Sequence, residues 1–341
     1  MAAPVQAGSG SLVARGYILP PVITSRATIP GTVPEIDFDA EVSAEKLNGP
    51  LAAGTESKEG IAMNATSVPS RVRVITESSD SGIFATTQQI NELKLYTALA
   101  ANSYCRTVVP LNIWACPHCS KDDTLVKSFS SLIFDTSGFI VRNDKAKTIN
   151  LSFRGTNSIR SFITDIELVS QPYPPVKGAR LHTGFYNSYL EVQNIVVSSM
   201  IDQITKYSGY KVTVSGHSLG GAVAVISAMD LYQRDTRFTS SNLVVYTFGS
   251  PRIGNKEFAY YAAGTGIKIQ RVVNNRDIIP HLLPQAIGYY HNGDEYWIKS
   301  NKAVKICNTV LDSRDCSNSI VPFTSVLDHL SYFGVNTGLC L

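Results

Sequence analysis

The segment Tyr210-Lys-Val-Thr-Val-Ser-Gly216-His217-Ser218-Leu219-Gly220-Gly221-Ala-Val-Ala224 decides the fold. Its first six residues read as a strand, and Gly221 to Gln233 continues with helical spacing. Between the two, Gly-x-Ser-x-Gly makes a strand-turn-helix elbow, with glycines where Cβ atoms would collide and Ser218 raised at the apex. This context marks Ser218 as a nucleophile. A purely structural Gly-rich turn does not account for a serine at its centre.

Outward from the elbow, strands and helices alternate. Ile90 to Ala101 has helical spacing, Ser131 to Arg142 and Thr148 to Phe153 read as strands, and Leu190 to Tyr207 reads as a long amphipathic helix. Beyond the elbow helix, Asn242 to Phe248 and Lys268 to Asn274 are strands. The βαβ alternation predicts one α/β domain with a mostly parallel central sheet flanked by helices.

A serine hydroxyl needs a base, and the base needs a third group to fix its tautomer. In the α/β-hydrolase order Ser, Asp or Glu, His, both partners lie downstream of the elbow. Asp277 follows the apolar strand Ile269 to Val273 and stands at a strand's C-terminal end, where sites form. Asp230 and Asp235, on or just after the elbow helix, read as solvated or capping charges. Among six histidines, His217 adjoins the nucleophile and is expected to point away and pack. His118 and His182 precede Ser218, His291 sits in a polar turn, and His281 is only four residues beyond Asp277. His329, alone near the C-terminus, is the candidate base.

The oxyanion of an acyl-transfer intermediate needs donors, and the backbone N–H of Leu219 comes with the elbow. Strand Thr148 to Phe153 ends in Arg154-Gly155-Thr156, which offers the backbone N–H and hydroxyl of Thr156, although threonine also caps helices. Just beyond, Ile159, Phe162, Ile163 and Ile166 share one helical face, while Arg160, Ser161, Thr164 and Asp165 face elsewhere. A short helix of this kind beside a site can cover it in water and roll onto lipid.

The chain has 341 residues, 30 basic and 27 acidic, with no basic run and no apolar stretch long enough for a membrane span. Nucleic acid is excluded as a partner on this charge pattern, and no metal or cofactor is implied. Residues 1–77 hold 7 of the 16 prolines but 2 of the 31 aromatic residues, with 6 basic and 8 acidic side chains, so the remaining 264 residues carry a net +5. The segment lacks periodicity and cannot hold a core of its own; it reads either as a linker or tag remnant or as a pro-segment lying on a catalytic domain at 78–341, an association that the opposite charges favour. Asn64-Ala-Thr is an N-glycosylation acceptor pattern. Met1-Ala-Ala-Pro does not open a secretory signal. Six cysteines, at 105, 116, 119, 307, 316 and 340, nevertheless read as three disulfides of an exported protein whose signal has been removed.

Together, Phe153-Arg-Gly-Thr156, His182-Thr-Gly-Phe-Tyr186, Gly216-His-Ser-Leu-Gly-Gly221, Arg276-Asp-Ile-Ile-Pro-His281 and Val326-Leu-Asp-His-Leu-Ser-Tyr-Phe333 resemble the filamentous-fungal class 3 lipases of the Rhizomucor and Rhizopus type. The resemblance implies a triacylglycerol lipase with an α/β-hydrolase-like fold and a helical lid, secreted as a proenzyme. It carries over Ser218, Asp277 and His329 as the triad and Thr156 with Leu219 as the oxyanion hole. Asp165 would brace Thr156, and Ile159 to Asp165 would be the lid. It also implies the pairings Cys105–Cys340, Cys116–Cys119 and Cys307–Cys316. A monomer bound to its own pro-segment and acting on triacylglycerol at a lipid–water interface is the state it suggests.

Two other readings stand beside this one. Feruloyl or another carboxylic-ester hydrolysis uses the same triad on the same fold, and only the apolar lid favours lipid. Cys116-Pro-His-Cys119 matches a redox dithiol, but it follows a loop-like stretch rather than opening a helix after a strand.

Overall fold

The computed structural model describes residues 83–308, 311–312 and 314–340. The pro-segment expectation for 1–77 and the Asn64 acceptor lie outside the described residues.

Nine strands form the central sheet: β1 (Ile83–Phe84), β2 (Asp123–Ser130), β3 (Ser137–Asn143), β4 (Thr148–Phe153), β7 (Lys211–His217), β8 (Leu243–Phe248), β9 (Lys268–Asn274), β10 (Asp294–Ile298) and β11 (Val304–Cys307). Two short strands, β5 (Ser170–Pro172) and β6 (Arg180–His182), pair with each other apart from it, as do β12 (Ser331–Tyr332) and β13 (Val335–Asn336). The order in the large sheet is β1-β11-β10-β9-β8-β7-β4-β3-β2. β4, β7, β8, β9 and β10 run parallel, and antiparallel strands close both edges.

Crossover helices cover both faces, so the central strands are apolar on both sides. Helices α3 (Thr183–Lys206), α4 (Leu219–Arg234) and α5 (Lys256–Gly264) pack Val192, Val196, Met200, Ile226, Met229 and Phe258 on Ile140, Leu151, Val214 and Val245. On the opposite face, α1 (Thr87–Asn102) packs Leu93, Tyr96 and Leu99 on Phe139, Val141, Tyr246, Phe248 and Val272. The period-2 alternation of side chains divides one strand between two cores, as Val245 and Tyr246 show.

Several element boundaries differ from those read off the sequence. The apolar run Leu132-Ile133-Phe134 is the exposed tip between β2 and β3, not the start of a strand, and Asp135 turns there with a positive φ of 50°. Helix α3 begins at Thr183 rather than Leu190, because His182 Nδ1 accepts a hydrogen bond from Phe185 N at 3.3 Å and caps the helix. Helix α1 starts at a capping box in which Thr86 and Gln89 exchange hydrogen bonds. Strands β10 and β11 and helix α5 are too short for periodicity to mark.

Disulfides join Cys105–Cys340, Cys116–Cys119 and Cys307–Cys316. The first ties the turn after α1 to the C-terminal end of the chain. Cys116-Pro-His-Cys119 lies in the loop after α1, where Asn102 Nδ2 donates to His118 O at 3.2 Å. No helix among the described residues is long and apolar enough to cross a membrane.

Candidate active site

β7 delivers Ser218 directly from its C-terminal end, and the chain turns at once into α4. Ser218 has φ 59° and ψ −132°, a conformation that costs an L residue about 1–3 kcal/mol unless its surroundings enforce it. Ser218 N donates to Phe248 O at 2.8 Å, while Ser218 O accepts from Gly221 N at 2.9 Å. Gly216 and Gly220 allow the turn: a Cβ on either would collide with backbone, of Gly220 in one case and of Phe153 and Arg154 in the other.

Asp277 stands in the turn after β9, its amide donating to Asn274 O at 2.9 Å. Its Oδ1 accepts from Ile279 N at 2.8 Å, and its Oδ2 accepts from His329 Nδ1 at 2.8 Å. His329 ends the short 3-10 turn Leu327–His329. The loop that carries it is pinned by Asn274 Nδ2, which donates to Asp328 O at 2.9 Å and Ser331 O at 2.8 Å. An Nδ1–H directed at a carboxylate leaves Nε2 with its lone pair free to take a proton.

Ser218, Asp277 and His329 are all fully buried. Ser218 Oγ and His329 Nε2 have no hydrogen-bond partner among the described residues, a costly state for buried polar atoms without a chemical task. Gly249, with φ +61°, leaves room for the pair: a Cβ there would lie 2.6 Å from Asp277 Oδ2 and 2.7 Å from His329 Nδ1.

Tyr332, which the sequence reading missed, donates its hydroxyl to Asp277 Oδ2. Burial and the charge of Asp277 push its phenol well above the ordinary range, so it stays a donor. No local signal marks it, because the contact spans 55 residues of chain.

His182, His217, His281 and His291 have ring partners of their own. His281 Nδ1 contacts Asn318 Oδ1 at 3.1 Å. His291, expected in a polar turn, is instead buried, with Nε2 2.7 Å from Pro280 O, and burial beside the Arg271 charge holds its ring well below the usual histidine range. His217 does not merely pack: its two ring nitrogens contact Tyr104 Oη and His329 O. Asp230 is not solvated either. Buried between α3 and α4, its Oδ2 accepts from Tyr189 Oη at 2.6 Å, Gln193 Nε2 at 3.1 Å and Arg234 Nε at 2.7 Å. Asp235 is not solvated: its side chain is largely buried, its Oδ1 accepts from Arg237 N at 2.9 Å, and its carboxylate pairs with the more exposed Arg237 guanidinium.

Thr156 follows β4, beside the elbow in the parallel pairing of β4 with β7. Its Oγ1 accepts from Ser158 N at 3.2 Å. Asp165 does not brace it: Asp165 is exposed and accepts from Thr164 Oγ1 at 2.7 Å, because the helix Ile159–Asp165 carries it on the outward side. This helix is α2, capped by Ser158 Oγ, which accepts from Ser161 N at 3.4 Å. Ile159 is buried, and Phe162, Ile163 and Ile166 are half-buried. Arg160 is exposed. Phe162 packs near Phe185, ring centroids 6.2 Å apart. After α2, Glu167 O contacts His182 Nε2 at 2.6 Å and Val169 O accepts from Thr183 N at 2.9 Å, which fixes the far end of the segment.

Residues 150–287 match the family described as Lipase (class 3). The chain is 52% identical to a lipase of Rhizomucor miehei over 99% of this chain and 93% of that one, and 45% identical to a lipase of Rhizopus niveus over 100% and 94%. A solved triacylglycerol lipase whose catalytic centre is formed by a serine protease triad superposes with a TM-score of 0.74, at 55% identity over 76% of this chain and 99% of that one. The Rhizomucor miehei lipase propeptide complex superposes with a TM-score of 0.77, at 51% identity over 95% of this chain and all of that one. A strand-turn-helix serine, a buried histidine–aspartate pair and identity along the whole chain lead to one conclusion: the chain belongs to the class 3 lipases, carboxylic-ester hydrolases of the α/β-hydrolase fold.

Proposed function

We propose that this lipase hydrolyses long-chain triacylglycerols at a lipid–water interface through an acyl-enzyme on Ser218. The observation that carries the reading is a fully buried serine held at φ 59° in the strand-turn-helix elbow, together with a fully buried histidine whose Nδ1 is oriented by Asp277.

In the first half-reaction His329 Nε2 takes the Ser218 proton as Oγ attacks the ester carbonyl. The backbone N–H groups of Leu219 and Thr156, with the Thr156 hydroxyl, stabilise the oxyanion. His329 then protonates the leaving glyceride oxygen. In the second half-reaction it deprotonates the water that releases the fatty acid and restores Ser218. Asp277 stays ionised and holds the imidazole tautomer.

A fully buried nucleophile needs an opening motion before ester can reach it. Helix α2 is the lid in this reading, since its apolar side is turned inward and would find an equivalent partner in lipid. That apolar side is what supports glycerides over feruloyl esters. The three disulfides support secretion to an oxidising environment, and the chain acts as a monomer. Residues 1–77 act as its pro-segment, which the opposite net charges of the two parts favour.

Turnover of a long-chain triglyceride emulsion, a soluble short-chain ester and methyl ferulate tests this. The emulsion is expected to be the best substrate and Ser218→Ala to abolish all turnover with the fold intact. Preference for methyl ferulate, or activity retained without Ser218, would overturn it.

A further inference from the structure

Beside the elbow, buried groups that the chemistry above does not use form one hydrogen-bonded chain. Tyr104, in the turn after α1, has its phenol oxygen 3.1 Å from Gly155 N and 2.8 Å from His217 Nδ1. His217 Nε2 lies 2.9 Å from the backbone oxygen of His329. A carbonyl only accepts, so Nε2 carries the ring proton, Nδ1 accepts, and the Tyr104 hydroxyl is the donor to it. Every polarity is then fixed: Gly155 N–H to Tyr104, Tyr104 O–H to His217, His217 N–H to His329. Burial pushes the His217 ring well below the usual histidine range and keeps it in this neutral form.

The packing is equally direct. The His217 and His329 rings lie 4.3 Å apart at 32°. A Cβ on Gly155 would come 2.6 Å from His217 O and 2.9 Å from Ser218 Cβ, so the strand end that leads into Thr156 sits against the elbow. Thr337 Oγ1 donates to the same His329 oxygen at 3.3 Å, and Cys105, next to Tyr104, is bonded to Cys340.

We propose that Tyr104 and His217 are positioning residues that lock the oxyanion loop at Gly155–Thr156 to the loop bearing His329, holding donors and base in one register about Ser218. The proposal rests on the roles given above to Ser218, Thr156 and His329. Neither side chain hydrogen-bonds to a reacting atom. Tyr104 acts through the backbone of Gly155, next to Thr156, and His217 through the backbone oxygen and ring of His329, where a misplacement of about 1 Å can cost on the order of 100-fold in rate.

The test is burst and steady-state kinetics on a soluble p-nitrophenyl ester, with circular dichroism to measure the folded fraction, on Tyr104→Phe, His217→Leu, His217→Gln and the double variant Tyr104→Phe/His217→Leu. Tyr104→Phe and His217→Leu are expected to lower kcat about tenfold or more with KM changed less than about twofold. His217→Gln, which keeps an N–H donor and an acceptor, restores most of the loss. The double variant is no slower than the slower single one, because both break the same chain. Values of kcat within about twofold of the parent, losses that merely follow the folded fraction, multiplicative losses, or no rescue by glutamine would each overturn the proposal. If Tyr104→Phe does not fold, leucine against glutamine at 217 decides it. Failure of the underlying chemistry would show separately, as a burst that survives Ser218→Ala.

Discussion

Tyr332 donates its hydroxyl to the same carboxylate oxygen of Asp277 that accepts His329 Nδ1–H. One oxygen of a buried carboxylate is therefore shared between an orienting bond to the base and a bond to a neutral phenol. The phenol spreads the carboxylate charge without giving up its proton. Tyr332→Phe removes one of these donors at no loss of volume. A hydrogen bond to a charged group contributes roughly 1.5–3 kcal/mol, so stability falls by about that amount and kcat by roughly tenfold. Urea denaturation and steady-state kinetics on a soluble ester measure both.

Gly249→Ala tests whether space beside the pair is required. The new Cβ would meet Asp277 Oδ2 at 2.6 Å and His329 Cε1 at 2.7 Å, on a backbone at φ +61° that costs an L residue about 1–2 kcal/mol. Titration of Ser218 with a phosphonate ester is expected to show loss of labelling although no triad residue has changed. Unaltered labelling would show that the pair tolerates displacement.

Helix α2 is held down by Phe162 on Phe185. Truncation by Phe162→Ala weakens the closed state by about 2 kcal/mol if most of the ring's buried area is lost. The expected signature is a change of ratio: faster hydrolysis of a monomeric ester below its aggregation threshold, and a smaller jump on emulsion. An unchanged ratio would detach α2 from access.

Cys105–Cys340 closes a loop of 235 residues, worth roughly 5 kcal/mol in the chain-entropy model. The double serine variant should lose a comparable amount in denaturant titrations. Hydrogen exchange should rise in α1 and in the C-terminal residues before it rises in β7.

Acid should destabilise the fold through buried neutral histidines. His217 and His291 are both held well below the ordinary 6.5, burial being the largest cause in each. Below that value the unfolded chain binds protons that the folded chain refuses, so unfolding is favoured as pH falls, and the stability is fully present above it. Each ring contributes a slope of up to about 1.4 kcal/mol per pH unit between its two pKa values. Urea midpoints measured from pH 7.5 to 5 should fall, and His291→Gln should flatten the curve.

The elbow and the strands around it were legible in sequence because buried parallel strands are short apolar runs and the turn tolerates few residues besides glycine. Asp277 and His329 were legible from chain order and from the strand end before Asp277. Partners recruited across the fold were not. Tyr332, Gly249, Tyr104 and the second contact of His217 depend on segments 28 to 113 residues apart, and no local pattern encodes them. Asp230 and His291 looked polar and exposed for the same reason: their burial is created by α3 in one case and by the strand-end loops in the other. The apolar triplet Leu132-Ile133-Phe134 misled in the opposite sense, since hydrophobicity alone does not distinguish a buried strand from an exposed hairpin tip.

The sheet order has a consequence for biosynthesis. β4, β7, β8 and β9 are neighbours only through long crossovers, and His329 follows Ser218 by 111 residues of chain. The nucleophile is made more than a hundred residues before its base, and pairings of this range close slowly. A nascent chain that has already formed its serine elbow therefore has no competent hydrolase. Hydrolytic competence arrives only when the loop bearing His329 has been made and has docked, so what precedes that step is a folding intermediate rather than an enzyme.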